Sequence, residues 1–227
     1  MNIFVIGAQG RMGEEIQKVL RKTKGAVFSG GIARKAKGSV VTGFDGIKHK
    51  PDLVIDFSSP EMFLQTLQWC VEKKIPLLSG TTGLSKKHFS ALKKASKKIP
   101  VLWTANTSIG VQMVKDILRA LPLPGHFKVQ MTEWHHIHKK DKPSGTAIVL
   151  QNILNEKRAN LPKPKSIREG EIIGTHRIEI SSGEEVITIE HKALRRAVFA
   201  RGAVDAGVWL ANKRAGAYTM EDYLQSL

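Results

Sequence analysis

The chain opens with an apolar run that leads directly into a glycine-rich turn: Asn2-Ile3-Phe4-Val5-Ile6-Gly7-Ala8-Gln9-Gly10-Arg11-Met12-Gly13. Residues 2–6 are nearly all apolar and do not alternate with polar residues, as expected of a strand buried on both faces of a parallel sheet. Beyond the turn, Ile16, Val19 and Leu20 recur at helical spacing. The sequence therefore predicts a strand, a tight turn and a helix, which begin an α/β domain.

The glycines of this turn follow a Gly-x-x-Gly-x-x-Gly pattern, a variant of the dinucleotide-binding fingerprint. Glycines permit the tight turn and let backbone N–H groups approach a pyrophosphate at the start of the helix. Glycine-rich turns between a strand and a helix also occur for packing reasons. Because this one lies between an N-terminal strand and a helix, we favour nucleotide binding. The expected cofactor contacts are Gly7, Ala8, Gln9, Gly10, Arg11, Met12 and Gly13.

A second strand is predicted near residues 26–32, and it is followed by Ala33 and Arg34. A site that prefers NAD places Asp or Glu here to bond the hydroxyls of the adenine ribose. Without that carboxylate there is no repulsion toward a 2′-phosphate, and the guanidinium of Arg34 would attract one. Arg11 is a second candidate for the same place. We therefore predict that NADPH is preferred and that NADH is the weaker cofactor.

Further strands are predicted at residues 51–56, 75–79 and 101–103. The last two end in short runs of small and hydroxyl-bearing residues, Gly80-Thr81-Thr82-Gly83 and Thr104-Ala105-Asn106-Thr107-Ser108. Open parallel sheets bind ligands at the carboxyl ends of their strands. These runs could simply be turns, but their placement at successive strand ends favours a role in binding.

The pattern changes beyond the breaker Pro122-Leu123-Pro124-Gly125. A strand near residues 127–134 leads into a segment rich in His and Lys, and a helix follows it. Residues 175–181 and 185–191 are predicted to be antiparallel strands about a Ser-Gly turn. These elements predict a mixed sheet with a covering helix, separate from the parallel sheet. Residues 197–210 are predicted to be helical.

The His- and Lys-rich segment is Glu133-Trp134-His135-His136-Ile137-His138-Lys139-Lys140-Asp141-Lys142-Pro143-Ser144-Gly145-Thr146-Ala147. Pro143 ends its extended part, and Ser144 is a good N-cap for the helix that follows. The first turn of a helix offers unpaired N–H groups and the positive end of the helix dipole, which favour an anion. Histidine titrates near neutral pH, so the segment combines proton-transfer groups with a docking point for a carboxylate.

The residue types of this segment also permit two simpler interpretations. A run of His and Lys is commonly a solvated strand end. His135, His136 and His138 could also bind zinc together with Glu133. The spacing of these ligands does not match a helical pair, and the only cysteine, Cys70, is far away in the sequence. We therefore expect no metal.

The string His135-His136-x-x-Lys139-x-Asp141-x-Pro143-Ser144-Gly145-Thr146-Ala147 resembles the signature of the dihydrodipicolinate reductase family. This resemblance implies reduction of 4-hydroxy-tetrahydrodipicolinate to tetrahydrodipicolinate by NAD(P)H, a step of diaminopimelate and lysine synthesis. It implies that His135 is the proton donor and that Lys139 is a second donor that also holds the substrate. His136 would contact the substrate. One carboxylate of the substrate would lie against Ser144, Gly145 and Thr146. Contacts to the nicotinamide half of the cofactor would come from Gly80, Thr81, Thr82, Thr104, Ala105, Asn106 and Thr107.

The resemblance also implies how the domains are arranged. Residues 1–106 and 197–227 would form an N-terminal Rossmann-like, parallel-sheet domain that binds the dinucleotide. Residues 107–196 would form a smaller α+β domain with a mixed sheet, which binds the substrate. In the family, the sheet of this second domain builds a homotetramer, and a homo-oligomer is therefore expected.

Composition limits the alternatives. The chain has 227 residues and a formal net charge of +16, which raises nucleic acid as a partner. Part of the excess lies at residues 86–98, where Phe89, Leu92 and Ile99 are predicted to form the buried side of a helix with lysines opposite. No apolar stretch reaches the ~20 residues of a membrane span. The single cysteine and the absence of a signal-peptide pattern lead us to expect a cytoplasmic protein.

Two other functions stay open from the sequence. One is an NAD(P)-dependent reductase that acts on a different small dicarboxylate. The other is a non-enzymatic nucleotide-binding or nucleic-acid-binding protein with the same fold. The intact signature weighs against both alternatives, because a sensor would not need His135 and Lys139 together. No helix-turn-helix, zinc-finger or aromatic-rich sheet motif is present to support nucleic-acid binding.

Overall fold

A computed structural model describes all residues, 1–227, as two compact units. One unit consists of Met1–Ser108 and Ala197–Leu227, and the other of Ile109–Arg196. Numbered along the whole chain, the strands of the first unit are β1 (Asn2–Ile6), β2 (Val27–Ile32), β3 (Val40–Val41), β4 (Leu53–Asp56), β5 (Leu77–Ser79), β6 (Pro100–Trp103) and β11 (Gly216–Tyr218). Its helices are α1 (Arg11–Leu20), α2 (Pro60–Lys73), α3 (Lys86–Ala95), α6 (Ala197–Leu210) and α7 (Met220–Leu224), with a short 3-10 helix at Phe44–Gly46.

The strands of the first unit form one parallel sheet in the order β11-β6-β5-β4-β1-β2-β3. The chain moves outward in one direction through β2 and β3, and in the other direction through β4, β5, β6 and β11. The strand order therefore reverses between β1 and β4, where a doubly wound sheet leaves a crevice for a ligand at the carboxyl ends of the strands. The predicted Rossmann-like fold is confirmed.

Apolar burial on both sides of this sheet explains the uninterrupted hydrophobic strands. Ile3, Ile6, Leu53 and Ile55 have no solvent-exposed surface. Burying such side chains contributes about 1.5–3 kcal/mol each. Cys70 lies in α2 and is fully buried.

The second unit contains a four-stranded mixed sheet and two helices. Its strands are β7 (Lys128–His135), β8 (Lys165–Arg168), β9 (Thr175–Ser181) and β10 (Val186–Lys192), and its helices are α4 (Ile109–Ala120) and α5 (Gly145–Lys157). The order is β10-β9-β7-β8, in which β7 and β8 are parallel and the other neighbours antiparallel. The predicted mixed sheet with a covering helix is confirmed.

Period-2 alternation gives this mixed sheet one apolar face, on which Val129 and Met131 of β7 pack with Ile178 and Ile180 of β9. Helices α4 and α5 contribute Leu118 and Leu150 among others to the same core. At the end of β7 the inward positions pass from Val129 and Met131 to Glu133 and His135. The apolar face therefore ends in a buried polar cluster.

Three short strands, β3, β8 and β11, were not predicted. Each is an edge strand with at most one buried residue, so it lacks the apolar run by which the equally short central strands were recognised. The prediction for Phe89 was wrong. Its side chain is 40% exposed, and its ring lies edge-on against Trp103 with the ring centres 4.8 Å apart. Leu92 is half-buried and Ala95 is buried, whereas the buried Ile99 lies beyond the end of the helix. The basic helix α3 therefore presents only a narrow apolar side to the core.

No helix has the length and apolar character needed to cross a membrane.

Candidate active site

The glycine turn after β1 is shaped by very close backbone packing. Gly7 adopts a φ of +80°, a left-handed conformation that favours glycine, and a Cβ there would lie 2.5 Å from the carbonyl oxygen of Phe57. Gly13 packs so tightly that its Cβ would lie 2.2 Å from the carbonyl oxygen of Gly7, and one on Gly10 would lie 3.2 Å from the same oxygen. Side chains at these positions would therefore fill the turn and push α1 away from the strand.

The backbone amides of the turn divide into two groups. Those of Gly7 and Ala8 donate to the carbonyl oxygen of Ile32, at 2.9 and 3.0 Å, and Ala8 is fully buried. The first amides of a helix have no partner inside it, so those of Arg11 and Met12 remain directed at the space in front of α1. The turn thus gives Ala8 a packing role, while the start of α1 can bind a phosphate.

A cleft of about 610 Å³ opens in front of the turn, within the size range of small-molecule sites. It is lined by Ile6, Gly7, Gln9, Gly10, Ile32, Ala33, Arg34, Thr42, Ser58, Ser59 and Met62. Most of these residues end or follow β1, β2 and β4, while Thr42 follows β3 and Met62 lies in the first turn of α2. The cleft therefore lies at the reversal of strand order between β1 and β4. No lining residue is acidic. A dinucleotide fits this cleft, because the glycine cradle and the start of α1 can meet its phosphates and no carboxylate lines the space.

Arg34 is exposed at the edge of the cleft, directly after β2. The loop that carries it is tied to the glycine turn, since the Gln9 side-chain amide donates to the carbonyl oxygen of Lys35 at 2.8 Å. Arg11 is also exposed, at the start of α1. Arg34 and the glycine turn therefore flank one ligand-sized space, as an adenine ribose with a 2′-phosphate would require.

A buried carboxylate organises the neighbouring strand ends. Asp56 ends β4 and accepts hydrogen bonds from the hydroxyls of Ser58, Ser79 (2.7 Å) and Thr81 (2.8 Å). Burial raises the pKa of Asp56, although these hydrogen bonds oppose the increase. The indole N–H of Trp103 donates to the backbone oxygen of Thr81 at 2.8 Å. The network joins the ends of β4, β5 and β6, and it occupies the Thr81 hydroxyl, which sequence reasoning assigned to the cofactor.

The rest of the run after β5 differs in exposure. Gly80 lies against the Phe57 ring, where a Cβ would come within 2.2 Å of a ring carbon. Thr82, by contrast, is exposed. Of this predicted cofactor-binding run, Thr82 therefore has the side chain most available to a ligand.

The segment after β6 forms a compact turn. The Thr104 hydroxyl donates to the carbonyl oxygen of Asn106 at 2.8 Å, and the Thr107 hydroxyl donates to that of Phe199 in α6 at 2.7 Å. Ala105 is exposed between them. The Thr104–Thr107 backbone is thus held rigidly at the carboxyl end of the sheet.

In the second unit, strand register brings four polar side chains together. Glu133 and His135 are two residues apart on β7, so they point to the same face. Glu133 is paired with His176 on β9, and His135 with Arg168 on β8. Glu133, His135 and His176 are buried, with 0%, 8% and 3% of their surface exposed. The Arg168 side chain is only 6% exposed.

Glu133 is the centre of this cluster. One of its carboxylate oxygens is hydrogen-bonded to Nδ1 of His135, and the other accepts from Arg168 at 2.8 Å and from the backbone amide of Ser144 at 3.3 Å. Burial alone would raise the pKa of Glu133, but the hydrogen bonds from His135 and Arg168 outweigh it and lower the pKa to about 2. The carboxylate is therefore ionised at neutral pH.

Ser144 begins α5, as predicted, and its hydroxyl accepts from the backbone amide of Ala147 at 3.2 Å. The same hydroxyl lies 3.1 Å from Nε2 of His176. Burial, and next to it the charge of His135, lower the pKa of His176 to about 3, so this imidazole is neutral at physiological pH. Gly145 is exposed, and an added Cβ would meet nothing within 4 Å. The first turn of α5 is thus open to an anion.

The loop between β7 and α5 carries the remaining predicted residues. Lys139 is half-buried, and its ammonium group lies 2.9 Å from the Asp141 carboxylate. His136 and Thr146 are also half-buried. The His138 side chain is 70% exposed. The loop therefore places Lys139 and His136 between His135 and the start of α5 along the chain.

A metal could in principle use a different trio from the one that the sequence offered, because ligand atoms of Glu133, His135 and His176 lie within 4.8 Å of one another. Both carboxylate oxygens of Glu133, however, are already bound by His135 and Arg168. A guanidinium beside the carboxylate neutralises the charge that would attract a cation. The donor set favours a hydrogen-bonded cluster, and the absence of a metal stays a prediction.

Sequence reasoning missed two members of this cluster, Arg168 and His176, and considered Glu133 only as a metal ligand. The Glu-x-His spacing on a predicted strand could have revealed the contact between Glu133 and His135. Nothing local could have revealed Arg168 or His176, since each reaches β7 only through strand pairing.

The fold and the two sites define a class. A doubly wound sheet with a glycine-turn cleft, together with a second unit that holds a buried acid–base cluster, is the arrangement of nucleotide-dependent oxidoreductases.

Comparison with known families makes this specific. Residues 1–107 match the family model described as dihydrodipicolinate reductase, N-terminus, and residues 107–224 match the one described as dihydrodipicolinate reductase, C-terminus. The chain belongs to the dihydrodipicolinate reductase family. This confirms the resemblance found in the His–Lys signature.

Individual relatives agree. The 4-hydroxy-tetrahydrodipicolinate reductase of Bdellovibrio bacteriovorus is 42% identical over 226 residues, which cover 99% of this chain and 96% of that protein. The reductase of the same name from Zymomonas mobilis is 34% identical over 247 residues, covering 99% and 97%. Among solved structures, the dipicolinate-bound dihydrodipicolinate reductase from Paenisporosarcina sp. TG-14 is similar in fold, with a TM-score of 0.80, 19% identity and coverage of 96% and 97%.

Proposed function

We propose that this protein is an oxidoreductase that reduces 4-hydroxy-tetrahydrodipicolinate to tetrahydrodipicolinate in diaminopimelate and lysine biosynthesis. The observation that carries the proposal is the buried pairing of His135 with Glu133, directly beside the start of α5. A proton donor and an anion-binding helix start are the two functions that a dicarboxylate imine needs from a protein. Family membership with full coverage supports the same substrate.

The first unit is proposed to bind the nicotinamide cofactor, which supplies the hydride when bound. The glycine turn and the start of α1 would hold its phosphates through Gln9, Gly10, Arg11, Met12 and the surrounding backbone. At the nicotinamide end, the rigid strand ends carry Gly80, Thr81, Thr82, Thr104, Ala105, Asn106 and Thr107. Their fixed geometry restricts how the ring can lie.

The second unit is proposed to bind and protonate the substrate. Addition of hydride to the conjugated imine places electron density on a neighbouring carbon, which must take a proton. His135 would donate that proton, and Lys139 would act as a second donor that also binds the substrate. One carboxylate would lie against Ser144, Gly145 and Thr146, with His136 as a further contact. The hydroxyl group of the substrate leaves as water, so hydride and proton together account for the product.

The assay is reduction of substrate generated in place by dihydrodipicolinate synthase, with NADPH and NADH consumption followed separately. His135→Gln should lower kcat by about 10²–10⁴-fold, the usual contribution of a general acid, while NADPH affinity stays unchanged. His126→Gln, at an exposed histidine of the same unit, is the matched control. A near-normal kcat for His135→Gln would refute the assignment of the proton donor.

NADPH is proposed as the preferred cofactor, with NADH as the weaker one. The cleft supports this through Arg34 at its edge and the lack of any acidic lining residue. Arg34→Ala should lower kcat/KM with NADPH by about tenfold, the effect of one charge-assisted contact, and leave NADH unchanged. Equal efficiency with both cofactors in the unaltered enzyme would contradict the preference.

A reductase of a different small dicarboxylate is the second candidate, because the start of α5 recognises a carboxylate rather than a whole molecule. Oxidation of NADPH with another dicarboxylate imine, but not with the synthase product, would favour it.

We further propose a homotetramer in the cytoplasm, supported by the family and by the single buried cysteine. Sedimentation velocity of the purified protein tests the assembly.

A further inference from the structure

Glu133 contacts the start of α5 as well as His135. Its carboxylate is fully buried, and it binds Nδ1 of His135 through one oxygen and the Ser144 amide through the other. One side chain therefore touches both the proposed proton donor and the proposed docking point for the substrate carboxylate. A shift of Glu133 would move both groups together.

Arg168 holds this carboxylate in place. Its guanidinium donates to Glu133 at 2.8 Å and also to three backbone oxygens, those of Ile167 (2.8 Å), Lys139 (3.3 Å) and Asp141. Two of these oxygens belong to the loop that carries Lys139. The planar fork of an arginine can satisfy several acceptors in fixed directions, which a lysine cannot do. Arg168 thus ties Glu133 and the Lys139 loop into one rigid group.

The other side of the His135 ring faces a glycine. A Cβ on Gly174 would lie 3.0 Å from Nε2 of His135, so the missing side chain leaves space at that nitrogen. Gly174 has no positive φ that would require glycine, and its backbone oxygen accepts from the Ala193 amide at 2.9 Å. Space for a ligand at Nε2 is therefore a reason for glycine at this position.

We propose that Glu133, clamped by Arg168, is a positioning residue that keeps the proton of His135 on Nδ1 and leaves Nε2, beside Gly174, as the nitrogen that gives its proton to the substrate. This inference rests on the proposed function. In the step itself, the N–H bond at Nε2 of the imidazolium breaks and a C–H bond forms on the substrate carbon. His135 is left neutral, with its Nδ1 proton still shared with Glu133, and water returns the lost proton.

The charges around His135 agree with these different roles of Nδ1 and Nε2. Glu133 on the same strand is ionised, Arg168 on β8 is bound to the carboxylate oxygen that His135 does not use, and His176 on β9, whose ring centre lies 5.3 Å from that of His135, is neutral. Lys139 on the following loop is paired with Asp141. The imidazolium of His135 therefore has one adjacent counter-charge, and that charge lies at Nδ1.

The first test needs no substrate. In ¹⁵N-labelled protein, long-range nitrogen–proton correlations report which ring nitrogen of each histidine carries the proton, and His135→Gln identifies the signal of His135. We expect neutral His135 to be protonated at Nδ1, with that signal lost or moved in Glu133→Gln. Protonation at Nε2 in the unaltered protein would overturn the proposal, whether or not the protein reduces the expected substrate.

The second test uses kinetics. Glu133→Gln puts an amide where three donors converge, so one donor must face an N–H group. We expect kcat to fall by about 10²-fold or more while NADPH affinity stays unchanged, because the ring loses the acceptor that orients it. Glu190→Gln is the matched control, because Glu190 pairs with Arg177 at 2.6 Å on the same sheet. A kcat of Glu133→Gln within threefold of normal would overturn the proposal.

The variant Gly174→Ala tests the Nε2 side of the His135 ring without changing the residue at Nδ1. It also provides a test of the proposal if Glu133→Gln does not fold. Its Cβ crowds Nε2 but leaves the contact between Nδ1 and Glu133 intact. We expect a higher KM and lower kcat, with the Nδ1 proton signal unchanged. Normal kinetics in this variant would mean that the substrate does not approach Nε2, and the proposal would fail.

Discussion

His176 makes the second unit sensitive to acid, and His176→Gln should remove part of that sensitivity. The imidazole is 3% exposed and touches the Ser144 hydroxyl. Burial, with the nearby charge of His135 as the next cause, lowers its pKa from 6.5 to about 3. Glutamine has a similar size, can donate to the same hydroxyl and carries no titrating group.

The sign and size of the effect follow from proton binding. Because the folded pKa lies below the unfolded one, the unfolded chain binds the proton more readily. The stabilising contribution of His176 is therefore complete above about pH 6.5 and is lost as the pH falls toward 3. Between about pH 7 and about pH 5, this linkage costs about 2 kcal/mol in the free energy of unfolding. For a chain of this length, that corresponds to a Tm decrease of about 4–8 °C.

The assay is thermal unfolding followed by circular dichroism at both pH values. We expect the Tm of His176→Gln to fall less than that of the unaltered protein over this interval, by about the 4–8 °C worked out above. His126→Gln, at an exposed position of the same unit, should keep the original dependence on pH. An identical loss of Tm in His176→Gln and in the unaltered protein would refute the reasoning.

Two further predictions concern the first unit. Gly13→Ala should lower the free energy of unfolding by about 3 kcal/mol and abolish tight NADPH binding, because its Cβ would lie 2.2 Å from the backbone oxygen of Gly7. Gly43→Ala, whose Cβ meets nothing within 4 Å, should change neither denaturant unfolding nor NADPH fluorescence titration. Asp56→Ala leaves three buried or half-buried hydroxyls without their acceptor, and we expect a loss of at least about 2 kcal/mol by denaturant unfolding. A normal midpoint in that variant would show that the network around Asp56 is not needed for folding.

The sequence by itself determined the elements whose causes are local. The apolar run of residues 2–6, followed by Gly7 with its positive φ, specified β1 and the turn before α1. Ser144 after Pro143 specified the start of α5. The His135 and Lys139 signature was equally readable, because its spacing lies within one short segment. Periodicity, caps and glycine conformations act over a few residues, so they can be recognised without a fold.

Only the tertiary structure decided what surrounds His135. Arg168 and His176 reach Glu133 through the pairing of β8 and β9 with β7, at sequence separations of 35 and 43 residues (168 − 133 and 176 − 133). The role of Gly174 likewise depends on where the His135 ring points. Register between distant strands is fixed by burial of the whole apolar face and not by any local preference. For that reason, the sequence could locate the proposed proton donor but not the charged groups that surround it.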